Sequence, residues 1–291
     1  MFAVLSLYKE KGESSFAALT RVKKFYNTSK VGHAGTLDPL AEGVLAVAVG
    51  EATKLLPYFN DEPKVYRVQI CFGYQTQTLD AEGVDLNQVI KDASVLKFGF
   101  NLKDFETVLN SFLGEIDQIP PLFSAVKIDG KRAYDLARNA ASEQEFLASE
   151  SKLKSRKVNL LSARILKFEL PLVELEIECS TGFYVRSLVR DLAQKLHEKA
   201  FMSNLIRTQV GVFNISKELE ATLDPSEFLK NFSRLDLSET EYLDLRNGKL
   251  IPLNFCNDNF AIKFGFFSGN LVSVMQLVDE NNLKAIKNLN I

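Results

Sequence analysis

The sequence predicts an α+β protein, and three observations carry that prediction. Residues 65 to 73 alternate, with Tyr66, Val68, Ile70 and Phe72 on one side and Arg67, Gln69 and Cys71 on the other, and the two-residue period returns at Val173, Leu175, Ile177 and Cys179. Strands buried on one face have this period. Helical spacing places Leu102, Phe105, Leu109 and Phe112 on one stripe and Leu188, Val189, Leu192 and Leu196 on another. After about residue 225 the chain changes character, with short apolar runs around turn residues, so a main domain over 1–225 and a small β-rich unit over 226–291 are expected.

In chain order, AVLSLY reads as a first strand, and Ser14 or Ser15 caps a helix through Tyr26 whose apolar face is Phe16, Leu19, Val22 and Phe25. VGHAGTLDPLAEGVLAVAVG, residues 31 to 50, follows. Gly32 and Gly35 open conformations closed to other residues, and Pro39 pushes Asp38 toward extended geometry. VLAVAV then reads as a buried strand anchoring the loop, so the Asp38 carboxylate is expected to point in a fixed direction. The helix over 102–112 is expected to stop at Gly114. Residues 124–156 combine a short strand, a helix around Arg132 to Asn139 and a polar stretch, ASEQEFLASESKLKSRK, with no sustained apolar face, which is expected to be mobile. Gly182 then turns the chain from strand to helix, delivering Tyr184 and Arg186. ETEYLDLRNGKLIPL suggests a short helix ended by Asn247-Gly248, and two strands flank Ser268-Gly269-Asn270.

The 291 residues suffice for a full core, and 46% hydrophobic and 25% charged residues with no long apolar run argue against a membrane span or extended disorder. MFAVLSLYKEKG is too soon polar for a signal peptide, so a cytoplasmic protein is expected. Cys71, Cys179 and Cys256 are far apart, odd in number and set in apolar runs, as reduced core thiols would be. With only His33 and His197 besides, no metal-ligand cluster emerges. P-loop, GxGxxG and zinc patterns are absent, so no cofactor is expected. A net charge of −2 does not advertise a nucleic-acid binder. Between 120 and 160, however, eight basic side chains (Lys127, Lys131, Arg132, Arg138, Lys152, Lys154, Arg156, Lys157) face five acidic ones, a local +3 that fits either a solvated face or a phosphate-binding one.

Five separated segments carry a resemblance: KEKGESS at 9–15, GHAGTLDPLAEGVL at 32–45, VYRV at 65–68 with Asp80 downstream, PPLFSAVKIDGKRAYDLAR at 120–138, and CSTGFYVRSLVRDLA at 179–193. In order and spacing, from about residue 2 to 213, the chain resembles the TruB family of tRNA pseudouridine synthases, in its bacterial type. The resemblance implies a mixed, mainly antiparallel sheet flanked by helices, a thumb-like insertion at about 124–156 that closes over RNA, and a C-terminal unit similar to a PUA module. It also implies the reaction, which isomerises the uridine at position 55 of the tRNA T loop by breaking N1–C1′ and rebonding through C5.

Asp38 matches the family's catalytic aspartate, as nucleophile or as base, and sequence leaves that choice open. A carboxylate in a pocket closed to water needs a cation to hold it ionised. Arg186 of GFYVR matches the arginine that pairs with it, and a planar fork suits a carboxylate. Tyr66 matches the tyrosine that packs on the flipped base, and Tyr184 would line the same pocket. The resemblance assigns His33 to RNA binding, Asp80 to the surroundings of the active site, Lys9 to substrate binding, and Arg207 to the catalytic cleft or to structural support; Lys127 and Arg132 are the thumb's candidates for RNA contact. Glu10 stands where the family usually has proline, and Gln77 where it usually has a first acid. The expected partner is the T arm of tRNA, with no membrane and no protein partner required, and a monomer is expected. Other readings are an RNA-guided synthase, an RNA-folding chaperone with or without isomerisation, and a glycosidase using Asp38 with Glu42 or Asp80.

Overall fold

The computed structural model describes residues 1–60, 62–140, 142–215, 222–229, 232–253 and 261–290. Strand β1 (Phe2–Lys9) leads to helix α1 (Ser15–Phe25), β2 (Val31–Ala34) and β3 (Glu42–Gly50). A 3-10 turn at Glu51–Leu55 and α2 (Leu56–Asn60) precede β4 (Lys64–Phe72), α3 (Leu86–Ala93), α4 (Leu102–Asn110) and β5 (Gly114–Gln118). The insertion holds a hairpin of β6 (Lys127–Ile128) and β7 (Lys131–Arg132), then α5 (Ala133–Asn139) and α6 (Glu143–Glu150). Long strands β8 (Arg156–Glu169) and β9 (Leu172–Cys179), helix α7 (Val185–Lys195), β10 (Ala200–Val210) and β11 (Phe213–Asn214) complete the main unit. The tail contains α8 (Pro225–Phe228), β12 (Ser233–Asp236), α9 (Glu239–Arg246), β13 (Ile251–Pro252), β14 (Ile262–Phe267), β15 (Asn270–Leu277) and β16 (Asn282–Asn288).

Among the described residues nine strands make one sheet, ordered β1-β3-β10-β4-β9-β8-β5, with β2 on β3 and β11 on β10. All its pairings are antiparallel except β3 with β10, so the sheet is mixed and mainly antiparallel, as expected. Helices α1, α4 and α7 pack on one face through Leu19, Val22, Phe105, Leu109, Leu188 and Leu192 against Val68, Ile70 and Leu175. The insertion has its own small core of Leu122, Ile128, Ala133, Ala137, Phe146 and Leu153.

The tail makes a second sheet, β12-β14-β15-β16-β13. It is separate as a sheet but not as a core. Phe264, Phe266, Leu271, Val274 and Leu289 pack in one cluster with Phe59 of α2 and with Val4, Val44, Ala46 and Phe213 from the back of the main sheet. Tyr58 meets the rings of Phe232 and Phe264 edge-on at 6.2 and 5.3 Å, and Lys54 Nζ donates to Asn288 O at 2.7 Å.

Three sequence expectations change. In α1 the buried stripe is Ser15, Ala18, Leu19 and Val22, while Phe16 and Phe25 stand 70% and 48% exposed. Phe16 lies instead under the Lys23 ammonium, 4.5 Å from its ring centroid. The helix over 102–112 ends at Asn110, and Gly114, with φ +91°, opens β5. The stretch expected to be mobile carries α6, capped by Ser142 and anchored by buried Phe146. One ring packed in the insertion's own core replaces the continuous apolar face that periodicity looks for. Cys71 and Cys179 are buried free thiols, as expected, and burial pushes them up to about 11 and about 12; Cys256 lies outside the described residues.

Candidate active site

Asp38 sits where the β2–β3 connection crosses the end of β10. Its loop is pinned on several sides. Ser15 Oγ, fully enclosed, accepts from Leu37 N at 2.9 Å and donates to Leu37 O at 3.0 Å, while Ser14 supplies the cap of α1. Gly12 N donates to Pro39 O at 2.8 Å and Ala41 N to Asp38 O at 3.0 Å.

Lys9 is wholly buried, and its ammonium donates to the carbonyls of Glu13 at 2.7 Å, Glu10 at 2.9 Å and Pro39 at 3.4 Å. Burial pulls its pKa down against the opposing attraction of Glu13 and Asp38. This lysine holds the loop, and its ammonium turns inward to backbone carbonyls. The departure at Glu10 is compensated locally, because Glu10 N donates to Glu13 Oε1 at 2.9 Å and closes the turn that proline would have stiffened.

Arg207 is also buried, on β10 directly opposite Tyr66 and Gly43. Its Nε donates to Val44 O at 2.7 Å and its Nη2 to Gly35 O at 2.9 Å. A Cβ on Gly43, where φ is +112°, would lie 2.1 Å from Arg207 O, so only glycine admits this strand contact. Arg207 thus supports the loop from beneath.

Arg186, in the first turn of α7, meets Asp38 with Nη2–Oδ2 at 2.8 Å and Asp80 with Nη1–Oδ2 at 3.5 Å. Its side chain is 6% exposed and that of Asp80 4%, against 40% for Asp38. Nη1 also donates to Thr78 O at 3.0 Å and Nη2 to Phe123 O at 2.9 Å. Three oxygens besides that of Asp38 therefore fix the guanidinium, those of Asp80, Thr78 and Phe123, and Asp38 is the more exposed of its two carboxylate partners. Asp80 is itself held, accepting from Thr78 Oγ1 at 2.7 Å and Glu82 N at 3.0 Å. Leu79 between them adopts φ +62°, a costly conformation for leucine held by Leu79 N to Thr76 O at 3.2 Å and Met202 N to Leu79 O at 3.0 Å.

Two compartments flank the ion pair. One, of about 110 Å³, is lined by Asp38, Tyr66, Phe183, Tyr184, Arg186, Met202 and Leu205. Burial raises the Tyr66 hydroxyl above its ordinary value, with nearby Arg207 opposing. The other, of about 220 Å³, also includes Asp38 and Arg186 and is walled by Asp80 and by Phe123, Ser124, Tyr134 and Arg138 of the insertion and its approach. Ser124 Oγ is buried there without a partner.

Sequence reasoning therefore brought together residues that do meet: Asp38, Tyr66, Asp80, Tyr184 and Arg186. His33 lies on β2 with Nδ1 buried and unpartnered, and burial, with Arg207 adding to it, lowers its pKa. Lys127 and Arg132 face each other across the β6–β7 hairpin, exposed and outside both compartments. Arg132 and Arg138 lie 5.9 and 5.7 Å from the Tyr134 ring centroid. Ser15, Gln118, Thr78 and Phe123 were missed, because they act on or through backbone atoms distant in sequence. Among the described residues no group of three His, Cys, Asp or Glu is placed to hold a metal, and no helix is long and apolar enough to cross a membrane.

Comparison with known proteins follows the same outline. Residues 23–185 match the family model described as TruB family pseudouridylate synthase (N terminal domain). A protein of Borreliella afzelii named tRNA pseudouridine synthase B is 36% identical over 290 residues, covering 97% of each chain. One of the same name from Caulobacter vibrioides is 41% identical over 230 residues, covering 79% of this chain and 68% of the other. A chain in a structure described as a Cbf5-Nop10-Gar1 complex superposes with TM-score 0.71 at 20% identity, covering 98% of this chain and 84% of that one. Since the family match spans more than half of the sequence and the Borreliella relative is over a third identical along nearly all of it, the chain belongs to the TruB family of pseudouridylate synthases.

Proposed function

We propose that this protein is a stand-alone tRNA pseudouridine synthase that isomerises the uridine at position 55 in the T loop. The observation that carries the reading is the half-exposed Asp38 carboxylate held at 2.8 Å by a buried arginine, at the mouth of a compartment walled by Tyr66. The names of the relatives support the substrate class.

The reaction is an isomerisation, so atoms balance without an oxidant or reductant. The N1–C1′ bond breaks, the uracil turns, C5 bonds to C1′, the C5 proton leaves and N1 gains one. Asp38 is the group that attacks or removes a proton, and Arg186, 2.8 Å from its carboxylate, holds it aimed. A target base taken out of its stack would lie on Tyr66, where stacking contributes roughly 1 to 3 kcal/mol and offsets part of the cost of flipping. Exposed Lys127, Arg132 and Lys154 on the insertion would meet phosphates, an attraction that weakens with salt. His33 would contact the loop nucleotides beside the target. The same reading makes the protein a cytoplasmic monomer.

The test is tritium release from C5-labelled uridine in a T-arm hairpin, with purified protein and no added RNA or protein. Wild type should release tritium, and Asp38→Asn should lower the rate by at least about 100-fold while keeping its affinity for the hairpin. Activity retained in Asp38→Asn would remove the central assignment; tight binding without release by wild type would favour an RNA chaperone or a guided enzyme.

A further inference from the structure

Resting on this reading of Asp38 and Arg186, we propose that Ser15 and Gln118 are a matched pair of positioning residues, one for each member of the ion pair. Each is a buried polar side chain that both donates to and accepts from the backbone of a single residue just ahead of a charged group. Ser15 Oγ holds Leu37 N and O, one residue before Asp38, at 2.9 and 3.0 Å. Gln118 Oε1 accepts from Tyr184 N at 2.7 Å and its Nε2 donates to Tyr184 O at 3.0 Å, two residues before Arg186. Ser15 is 3% exposed and Gln118 fully buried.

Each clamp joins segments far apart in the chain, 22 residues for Ser15 and 66 for Gln118. Helix α1 already has its cap in Ser14, so the Ser15 hydroxyl is free for the loop. Tyr184 has the N-cap position of α7 but no side-chain cap, and Gln118 supplies from another strand the partner that its N–H would otherwise lack. The grip is reinforced next door, where Ile119 O accepts from Ser187 Oγ at 2.7 Å and Arg190 Nη2 at 3.0 Å. The two anchors thus come from opposite ends of the sheet, at the close of β5 and just after β1, and converge on one 2.8 Å contact. A two-point hydrogen bond to the N–H and C=O of one residue restrains both peptide units that flank its Cα, and displacements near 1 Å can cost about 100-fold in rate.

The test is a double-mutant cycle with Ser15→Ala and Gln118→Met in the full-length protein, read by single-turnover tritium release and by hairpin Kd. Each single variant should lower the rate constant by about 10- to 100-fold and change Kd by less than about threefold. Because both act on one contact, the combined loss should fall well short of the product of the two. Unfolding midpoints measure folding separately, and their two shifts should add, since the side chains share no partner. Val4→Ala, which opens a void in the tail-facing core, is the control for lost stability alone and should leave the rate constant unchanged. Rate losses that multiply to within about twofold, or single variants with wild-type rate constants, would overturn the pairing. An inactive wild type would instead count against the proposed function itself.

Discussion

His33 is the side chain whose ionisation the fold opposes most plainly near neutral pH. Burial and the neighbouring Arg207 charge lower its pKa below 6.5, with the Gly35 backbone opposing them. The unfolded chain therefore takes up this proton at higher pH than the native state, so stability should fall as pH drops through the region just below 6.5. Glu51 does not interfere there. Held down to about 2 by Lys30 and Lys54, it contributes stability above its ordinary 4.5 that is lost only as pH falls toward 2. Urea midpoints at pH 7.5 and 5.5 should show a drop in wild type that His33→Asn largely removes; an equal drop in both would assign the effect elsewhere. At this scale sequence exposed Asp38, Tyr66 and Arg186, which the structure brings together, because they lie in motifs of unusual local chemistry. It did not expose Ser15 or Gln118, whose partners are 22 and 66 residues away and are backbone atoms that carry no side-chain identity.

Helix α1 shows how a periodic pattern can name the wrong face. Phe16, Leu19, Val22 and Phe25 fit a stripe, yet the helix turns toward the sheet with Ala18, Leu19 and Val22, because Ser15 must reach Leu37 and fixes the rotation. Leu19→Ala should accordingly cost about 2 to 5 kcal/mol, while Phe16→Ala should cost at most about 1, the scale of an exposed cation–π contact. Chemical denaturation of both variants checks this, and a large loss for Phe16→Ala would restore the simple stripe. Strands β8 and β10 escaped periodicity for two different reasons. The first lies near the sheet edge with both sides partly exposed, and the second is central and interrupted by Ser203, Asn204 and Thr208. Neither produces the clean alternation that made β4 and β9 legible.

Across the whole molecule the tail and the main sheet depend on each other. Phe264, 1% exposed, joins the cluster that covers the back of β1 and β3 and meets Tyr58 and Phe232 edge-on. Phe264→Ala should lower stability by about 3 to 5 kcal/mol and should do so for the entire chain, in one transition followed alike by circular dichroism and by loss of turnover. A tail that melts first while turnover persists would make it an independent unit. The sequence by itself determined the family, the α+β class, the residues that gather around Asp38 and the elements with clear period, since these follow from residue type and near-neighbour chemistry. Only the tertiary structure decided which face of α1 is buried, that Lys9 and Arg207 brace the loop, that the tail shares its core, and what holds Asp38 against Arg186. Those outcomes are contacts between segments tens to hundreds of residues apart, and packing in three dimensions selects them.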